Sequence, residues 1–96
     1  MKRVIVECHD LFFRAKIQAT IGAAGGAVVR EDPLDLAVLE LGKPGVDERI
    51  RDLVRRGVPV IAFGSHVDVD ALRAARHAGA RAVPNSEVAS TLRALL

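Results

Sequence analysis

The sequence predicts a three-layer α/β domain in which helices cover both faces of a parallel five-stranded sheet. Two observations carry this prediction. Short runs rich in valine, isoleucine and leucine alternate with longer segments whose apolar residues recur at helical spacing, and this alternation is typical of parallel sheets with crossover helices. The apolar runs are also continuous, which indicates strands that are buried on both faces.

Length and composition indicate one small globular unit. A chain of 96 residues has room for one modest hydrophobic core, and we expect a single domain over residues 1–96. Half of the residues are hydrophobic, which argues against a disordered chain. Phe12, Phe13 and Phe63 are the only aromatic residues, so the core is expected to be aliphatic.

Charge and hydropathy argue against two classes of partner. The net charge of +2 is too small to indicate nucleic-acid binding. No apolar run approaches the roughly 20 residues that a membrane span needs. The single cysteine, Cys8, has no partner for an internal disulfide. We therefore expect a cytoplasmic protein with no nucleic-acid or membrane partner.

The first third of the chain predicts a strand, a helix and a short strand. The β-branched run in Lys2–Glu7 predicts the first strand, and Asp10 is a suitable N-cap for the helix that follows. Gly25-Gly26 ends that helix, and 27–30 predicts the second strand. The helix carries apolar residues at helical spacing, namely Phe13, Ile17, Ile21 and Ala24.

The run Asp35–Leu41 predicts the buried central strand, and it delivers Glu40 to its carboxyl end. Only a few residues separate this run from the second strand, whereas a parallel crossover normally needs a dozen or more. The helix between strands 2 and 3 is therefore expected to be short or absent. With right-handed crossovers, five such strands favour the flavodoxin-like order 2-1-3-4-5.

The remaining segments complete the alternation. A helix ends at Gly57, the next strand covers 58–63, and Asp68 caps an alanine-rich helix over 69–78. A last short strand over 81–83 is expected at a sheet edge, and Pro84 precedes the final helix. The two amphipathic helices on either side of this region carry Val46, Ile50, Leu53 and Val54, and Val88, Leu92, Leu95 and Leu96, on their apolar faces.

Three segments resemble the receiver domain of response regulators. Asp35–Leu41 with Lys43-Pro44 resembles the strand and loop that bear the phosphoacceptor. Val58–Ile61 and Ala78–Ala80 resemble the fourth strand and the turn before the fifth. The resemblance extends over essentially the whole chain and implies a CheY-like fold and a role in signal transduction.

The residues that perform phosphorylation in that family are largely absent. Glu40 stands at the position of the phosphorylated aspartate, and Glu7 and Cys8 stand where the family has an acidic pair. Phosphoryl transfer to a carboxylate needs a divalent cation held by acidic groups, and Glu7 alone is a poor site for one. We interpret Glu40 as a solvated carboxylate at a strand end, in preference to a mimic of the phosphorylated state.

Two further positions depart from the family. Gly64 lies near the usual serine or threonine, with Ser65 beside it, and Asn85 is nearest to the position of the lysine after the fifth strand. An asparagine cannot supply the positive charge that balances a phosphoryl product. The chain thus resembles a degenerate pseudo-receiver. We predict a non-catalytic, phosphorylation-independent signalling or protein-interaction module without a cofactor.

The alternative hypothesis is a small enzyme, or a domain that binds a ligand, an anion or a metal at the carboxyl ends of the strands, where ligands bind in such sheets. That activity would use Cys8, His9, Glu40, Ser65 or His66. The candidate cleft comprises Glu7, Cys8, His9, Lys43, Gly64, Ser65, His66 and Asn85 around Glu40.

Cys8 has two candidate chemistries. Cys8 and Arg14 have the C-x5-R spacing of cysteine-dependent phosphatases, but the residues between them contain no glycine and include an aspartate that would repel phosphate. Cys8, His9 and His66 are candidate zinc ligands, although no close-spaced ligand pair of the usual kind is present. A buried, inert cysteine is the favoured interpretation, and no metal site is predicted.

The family resemblance also implies a contact surface over residues 71–96. We predict a homodimer centred on Leu72, Ala75, Val83 and the outward side of the last helix. In the competing interpretation, the apolar residues of the last helix all pack in the core of the same chain. That arrangement would leave a polar outer face and a monomer.

Overall fold

Five parallel strands form one sheet in the order β2-β1-β3-β4-β5 in the computed structural model, which describes all residues 1–96. The strands are β1 (Arg3–Glu7), β2 (Ala27–Val28), β3 (Leu36–Glu40), β4 (Val60–Gly64) and β5 (Arg81–Pro84). The predicted strand order is confirmed, and β3 lies at the centre, between β1 and β4.

Four α-helices surround the sheet: α1 (Leu11–Ala23), α2 (Val46–Arg55), α3 (Val69–His77) and α4 (Val88–Leu95). A single 3₁₀ turn, Asn85–Glu87, leads into α4. Both predicted aspartate caps are present, because Asp10 accepts from Phe13 N at 3.1 Å and Asp68 accepts from Ala71 N at 3.2 Å. Each cap satisfies a backbone donor that the helix leaves without a partner.

No helix separates β2 from β3, which confirms the expectation for this connection. Arg3 holds the connecting segment against the end of β1. Its guanidinium donates to the backbone oxygens of Pro33 at 2.7 Å and Glu31 at 3.2 Å, and its backbone N–H donates to Asp35 Oδ2 at 2.7 Å. Side-chain and backbone contacts thus replace the packing that a crossover helix would provide.

The sheet separates two apolar clusters, as a three-layer fold requires. One lies beneath α2 and α3 and includes Leu39, Ile50, Leu53, Leu72 and Ala75. The other lies beneath α1 and α4 and includes Ile17, Ile21, Phe63, Val83, Val88 and Leu92. Ala24 was expected on the inner face of the first helix, but it is exposed, because α1 ends at Ala23.

The residues predicted as the centre of a dimer interface are core residues, so the assignment of these three residues to a contact surface is wrong. Leu72, Ala75 and Val83 are only 6%, 0% and 8% exposed. Leu72 and Ala75 pack beneath α2 and α3, whereas Val83 points to the opposite side of the sheet. Because successive strand residues point to opposite faces, Val83 cannot share a surface with the other two.

Candidate functional site

A cavity of about 290 Å³ opens at the carboxyl ends of β1 and β3. It brings together four predicted cleft residues, Glu7, His9, Glu40 and Lys43, with Arg49 from the first turns of α2. Leu39, Pro44, Gly45 and Val46 complete its lining. The cavity lies where parallel strands end and the following helices begin, which is the usual ligand-binding edge of such a sheet.

Glu40 is held by neighbouring groups in this cavity. Its Oε1 accepts the backbone N–H of His9 at 2.9 Å and lies 4.0 Å from Lys43 Nζ. The side chain is 17% exposed. The carboxylate therefore ties the loop after β1 to the end of β3, which corrects the interpretation of Glu40 as a freely solvated group.

Arg49 neutralises the other carboxylate of the cavity. Its Nη2 donates to Glu7 Oε2 at 2.8 Å, and its Nε lies 3.1 Å from the same oxygen and 3.2 Å from Oε1. The hydrogen bonds that Arg49 donates to Glu7 raise the pKa of the Arg49 guanidinium above its ordinary value. An arginine that bonds both oxygens of a carboxylate forms a stronger ion pair than one that makes a single hydrogen bond.

Arg49 was not among the residues predicted for the cleft, so this role was missed. A signal was present in the spacing. Arg49 follows the inward-facing Val46 by three residues and precedes the buried Ile50, in a helix that begins at the ligand-binding edge. A long side chain at that position can reach back to the end of a neighbouring strand.

Cys8 is buried, as favoured from the sequence, with 2% of its surface exposed. Its Sγ donates to the backbone oxygen of Asp10 at 3.4 Å. Burial raises the pKa of the Cys8 thiol, and the negative charge of Glu40 raises it further. Arg14, the partner in the C-x5-R spacing, lines a separate cavity beside β2. A nucleophilic cysteine needs the opposite shift, so the arrangement does not support phosphatase chemistry.

We expect Cys8 to react slowly with iodoacetamide in the folded protein at neutral pH, because the buried thiol is protonated and shielded from the reagent. Intact-mass measurements over time give the rate, and the urea-unfolded protein is the control that should react quickly. Rapid labelling of the folded protein that is lost in Arg14→Ala or His9→Ala would instead support the phosphatase-like alternative.

The other predicted cleft residues lie at the next strand ends and do not line this cavity. Ser65 and His66 are exposed in the turn after β4, and Asn85 begins the 3₁₀ turn after β5. An ideal Cβ at Gly64 would lie 3.2 Å from Leu41 Cβ, so a serine or threonine there would press against that side chain.

No group of three or more histidine, cysteine, aspartate or glutamate side chains is arranged to hold a metal ion. Cys8, His9 and His66 therefore do not converge as a zinc site in this structure. None of the helices has the length and apolar character that crossing a membrane requires.

No protein-family model matches the chain, and no curated protein matches it. Several solved structures, in contrast, have a fold similar to that of this chain. The receiver domain of TorR, a response regulator of the TMAO respiratory system, superposes with a TM-score of 0.80 at 16% identity, covering 99% of this chain and 96% of that one. A response regulator receiver protein from Burkholderia phymatum gives 0.76 at 23% identity, over 99% and 94%.

A CheY-like protein, tadZ, from Pseudomonas aeruginosa gives a TM-score of 0.74 at 22% identity, covering 99% of this chain and 90% of that one. Identities this low establish the shared fold and leave the chemistry of each protein to its own residues. The chain has the flavodoxin-like, CheY-like fold of response-regulator receiver domains.

Proposed function

We propose that this chain is a non-catalytic signalling module that acts by protein contact and does not require phosphorylation. The observation that carries the proposal is the ion pair between Glu7 and Arg49. Glu7 is the acidic residue that the family resemblance assigns to cation binding, and here a guanidinium from the same chain already neutralises it. A divalent cation would have to displace that group, which is bonded to both carboxylate oxygens.

The surroundings of Glu40 also favour this proposal. A carboxylate that attacks a phosphoryl donor needs an open approach and a cation that balances the transferred charge. One oxygen of Glu40 is bonded to the backbone of His9, and Asn85, the residue nearest to the family's lysine position, is uncharged. Lys43 is the nearest cation to Glu40, at 4.0 Å, and is itself nearly half exposed.

Incubation with acetyl phosphate and Mg²⁺ is expected to leave the intact mass of this protein unchanged, because Glu7 is already paired with Arg49 and no three histidine, cysteine, aspartate or glutamate side chains are grouped to hold the cation. A receiver domain that retains the phosphoacceptor aspartate, treated in the same way, is the control for the activity of the donor. A phosphoryl adduct that is present in the native chain and absent in Glu40→Gln would overturn the proposal.

The presence of the cavity supports the alternative function, which is binding of a small ligand at the strand ends. Its lining offers carboxylates from Glu7 and Glu40 and cations from Lys43 and Arg49, which suits a small molecule that carries both charges. These groups are already engaged with one another, and a ligand would have to replace those contacts. We therefore rank ligand binding and any enzymatic activity second.

Homodimerisation stays a prediction, although the three residues named for its centre are buried and cannot make the contact. The exposed residues on the α3 and β5 side include Val69, Arg73 and Arg81, and a two-fold axis there would bring arginines near their own copies. We expect a weak dimer that tightens as salt screens this repulsion. Sedimentation equilibrium at low and high ionic strength measures it, and a monomeric mass at every concentration would contradict it.

A further inference from the structure

A groove of about 380 Å³ runs between α1 and α4, on the side of the sheet away from α2 and α3. Its lining consists of Lys16, Ala19, Thr20, Ala23, Ala24 and Arg93. Alanine side chains make most of this surface apolar and shallow. The Thr20 hydroxyl donates to the backbone oxygen of Lys16 at 2.8 Å, so it needs no partner from a molecule that binds here.

The charges around this groove have one sign. Neither α1 nor α4 contains an aspartate or glutamate, although the chain has 12 acidic residues. Lys16 and Arg93 form no ion pair within the chain, as is also true of Arg51 on α2, whereas Arg49 and Arg55 on that helix pair with carboxylates. Although the net charge of the whole chain is only +2, the side formed by α1 and α4 is cationic, and Lys16 and Arg93 have no ion-pair partner there.

The outer side of α1 is also apolar for an exposed helix. Leu11 and Phe12 are 75% and 72% exposed, and Ala15 and Ala19 are exposed further along. A solvated helix normally presents polar residues on the side that faces away from the core. Exposed apolar residues beside a groove are typical of an interaction surface.

We propose that the groove between α1 and α4 binds an amphipathic helix of a partner protein, with small apolar residues along its centre and glutamates or aspartates on its flanks. A helix fits between the ridges of two neighbouring helices, and alanines allow its backbone to approach closely. The flanking carboxylates would pair with Lys16 and Arg93. The proposal names the partner chemistry for the protein-contact function proposed above and rests on it.

Charge also argues against two other occupants. A second copy related by a two-fold axis would bring Lys16 and Arg93 near the same residues of its partner, and no acidic residue of α1 or α4 is there to compensate. A nucleic acid strand needs a row of cations and aromatic platforms for its bases. The lining of the groove offers two cations and no aromatic side chain, and Phe12 is the single exposed ring beside it.

The test is a titration of ¹⁵N-labelled protein with a stapled helical peptide of about 18 residues, which spans about 27 Å. The peptide carries alanine and leucine at i, i+3, i+4 and i+7, with glutamates on both flanks. We expect binding with a dissociation constant on the order of 10 μM. Shifts in amide signals should be confined to α1 and α4, and the affinity should fall as salt rises.

Variants separate the groove from general attraction. Lys16→Glu/Arg93→Glu should weaken binding about tenfold or more, and a peptide with lysines in place of glutamates should then bind the variant better. The matched control is Arg51→Glu/Arg73→Glu, which makes the same change in net charge on α2 and α3 and should leave binding unchanged. Amide spectra of both variants establish that they are folded.

With the peptide, any of these results would overturn the proposal: no shifts at millimolar peptide, shifts centred on α2 and α3, or equal binding of the glutamate and lysine peptides. Tighter binding of a single-stranded oligonucleotide through Lys16 and Arg93 would also overturn it, because the groove would then serve a nucleic acid. None of these outcomes affects the phosphate-incorporation experiment, so failure here and failure of the proposed function are distinguishable.

Discussion

Phe63→Ala is expected to lower the free energy of unfolding by about 3–5 kcal/mol, the usual loss when a large buried side chain is cut back to alanine. Phe63 is fully buried on β4, in the apolar cluster beneath α1 and α4. Its ring centroid lies 5.8 Å from that of Phe13. The substitution removes this contact and leaves a cavity between the sheet and two helices at once.

Phe12→Ala is the matched control, because it makes the same chemical change at a side chain that is 72% exposed. Its effect should stay within about 0.5 kcal/mol. Urea unfolding followed by circular dichroism measures both variants, and the dependence on urea should be the same as in the unchanged chain. Similar losses in the two variants would mean that Phe63 does not anchor this core.

The order of the elements could be predicted because each buried strand is a continuous apolar run and each helix keeps one apolar face. The ends of the strands were less predictable. The fourth strand was expected over 58–63, but β4 begins at Val60, because Pro59 has no N–H to donate. Val58 N instead donates to Leu53 O at 3.0 Å and closes the end of α2.

The cavity was predictable as far as topology determines it. Glu7 and Glu40 end neighbouring strands, so their proximity follows from the strand order alone. Arg49 was missed because helical periodicity assigns a direction to each Cα and says little about where a long, flexible side chain ends. Periodicity therefore could not show that the guanidinium of Arg49 reaches Glu7 and neutralises it.

The error over the dimer interface has a different cause. Leu72 and Ala75 lie on the apolar face of α3, whose outer side carries Asp70, Arg73 and Arg76. The pattern therefore distinguished the two faces, and the prediction erred by assigning the apolar one to a second copy of the chain instead of to the core. The groove between α1 and α4 was not predicted either. It depends on which two helices become neighbours on one side of the sheet, and that follows from the crossovers rather than from either helix.

Gly79→Ala is expected to lower the free energy of unfolding by about 2 kcal/mol, from two causes. Gly79 ends α3 with a φ of 107°, a backbone conformation that other residues adopt only with strain of about 1–3 kcal/mol. The added Cβ would also lie 3.2 Å from both Cγ atoms of Val54 on α2, in the packing between α2 and α3.

Two comparisons separate these causes. Gly22→Ala, on the exposed side of α1, has no positive φ and nothing within 4 Å of the added Cβ, so it should raise stability by about 0.5 kcal/mol. Val54→Ala removes the close neighbour, and Gly79→Ala should cost less in that background than in the native chain. Urea unfolding of the four chains completes the cycle. If Gly79→Ala costs the same in both backgrounds, backbone strain alone accounts for its effect and the contact with Val54 adds nothing.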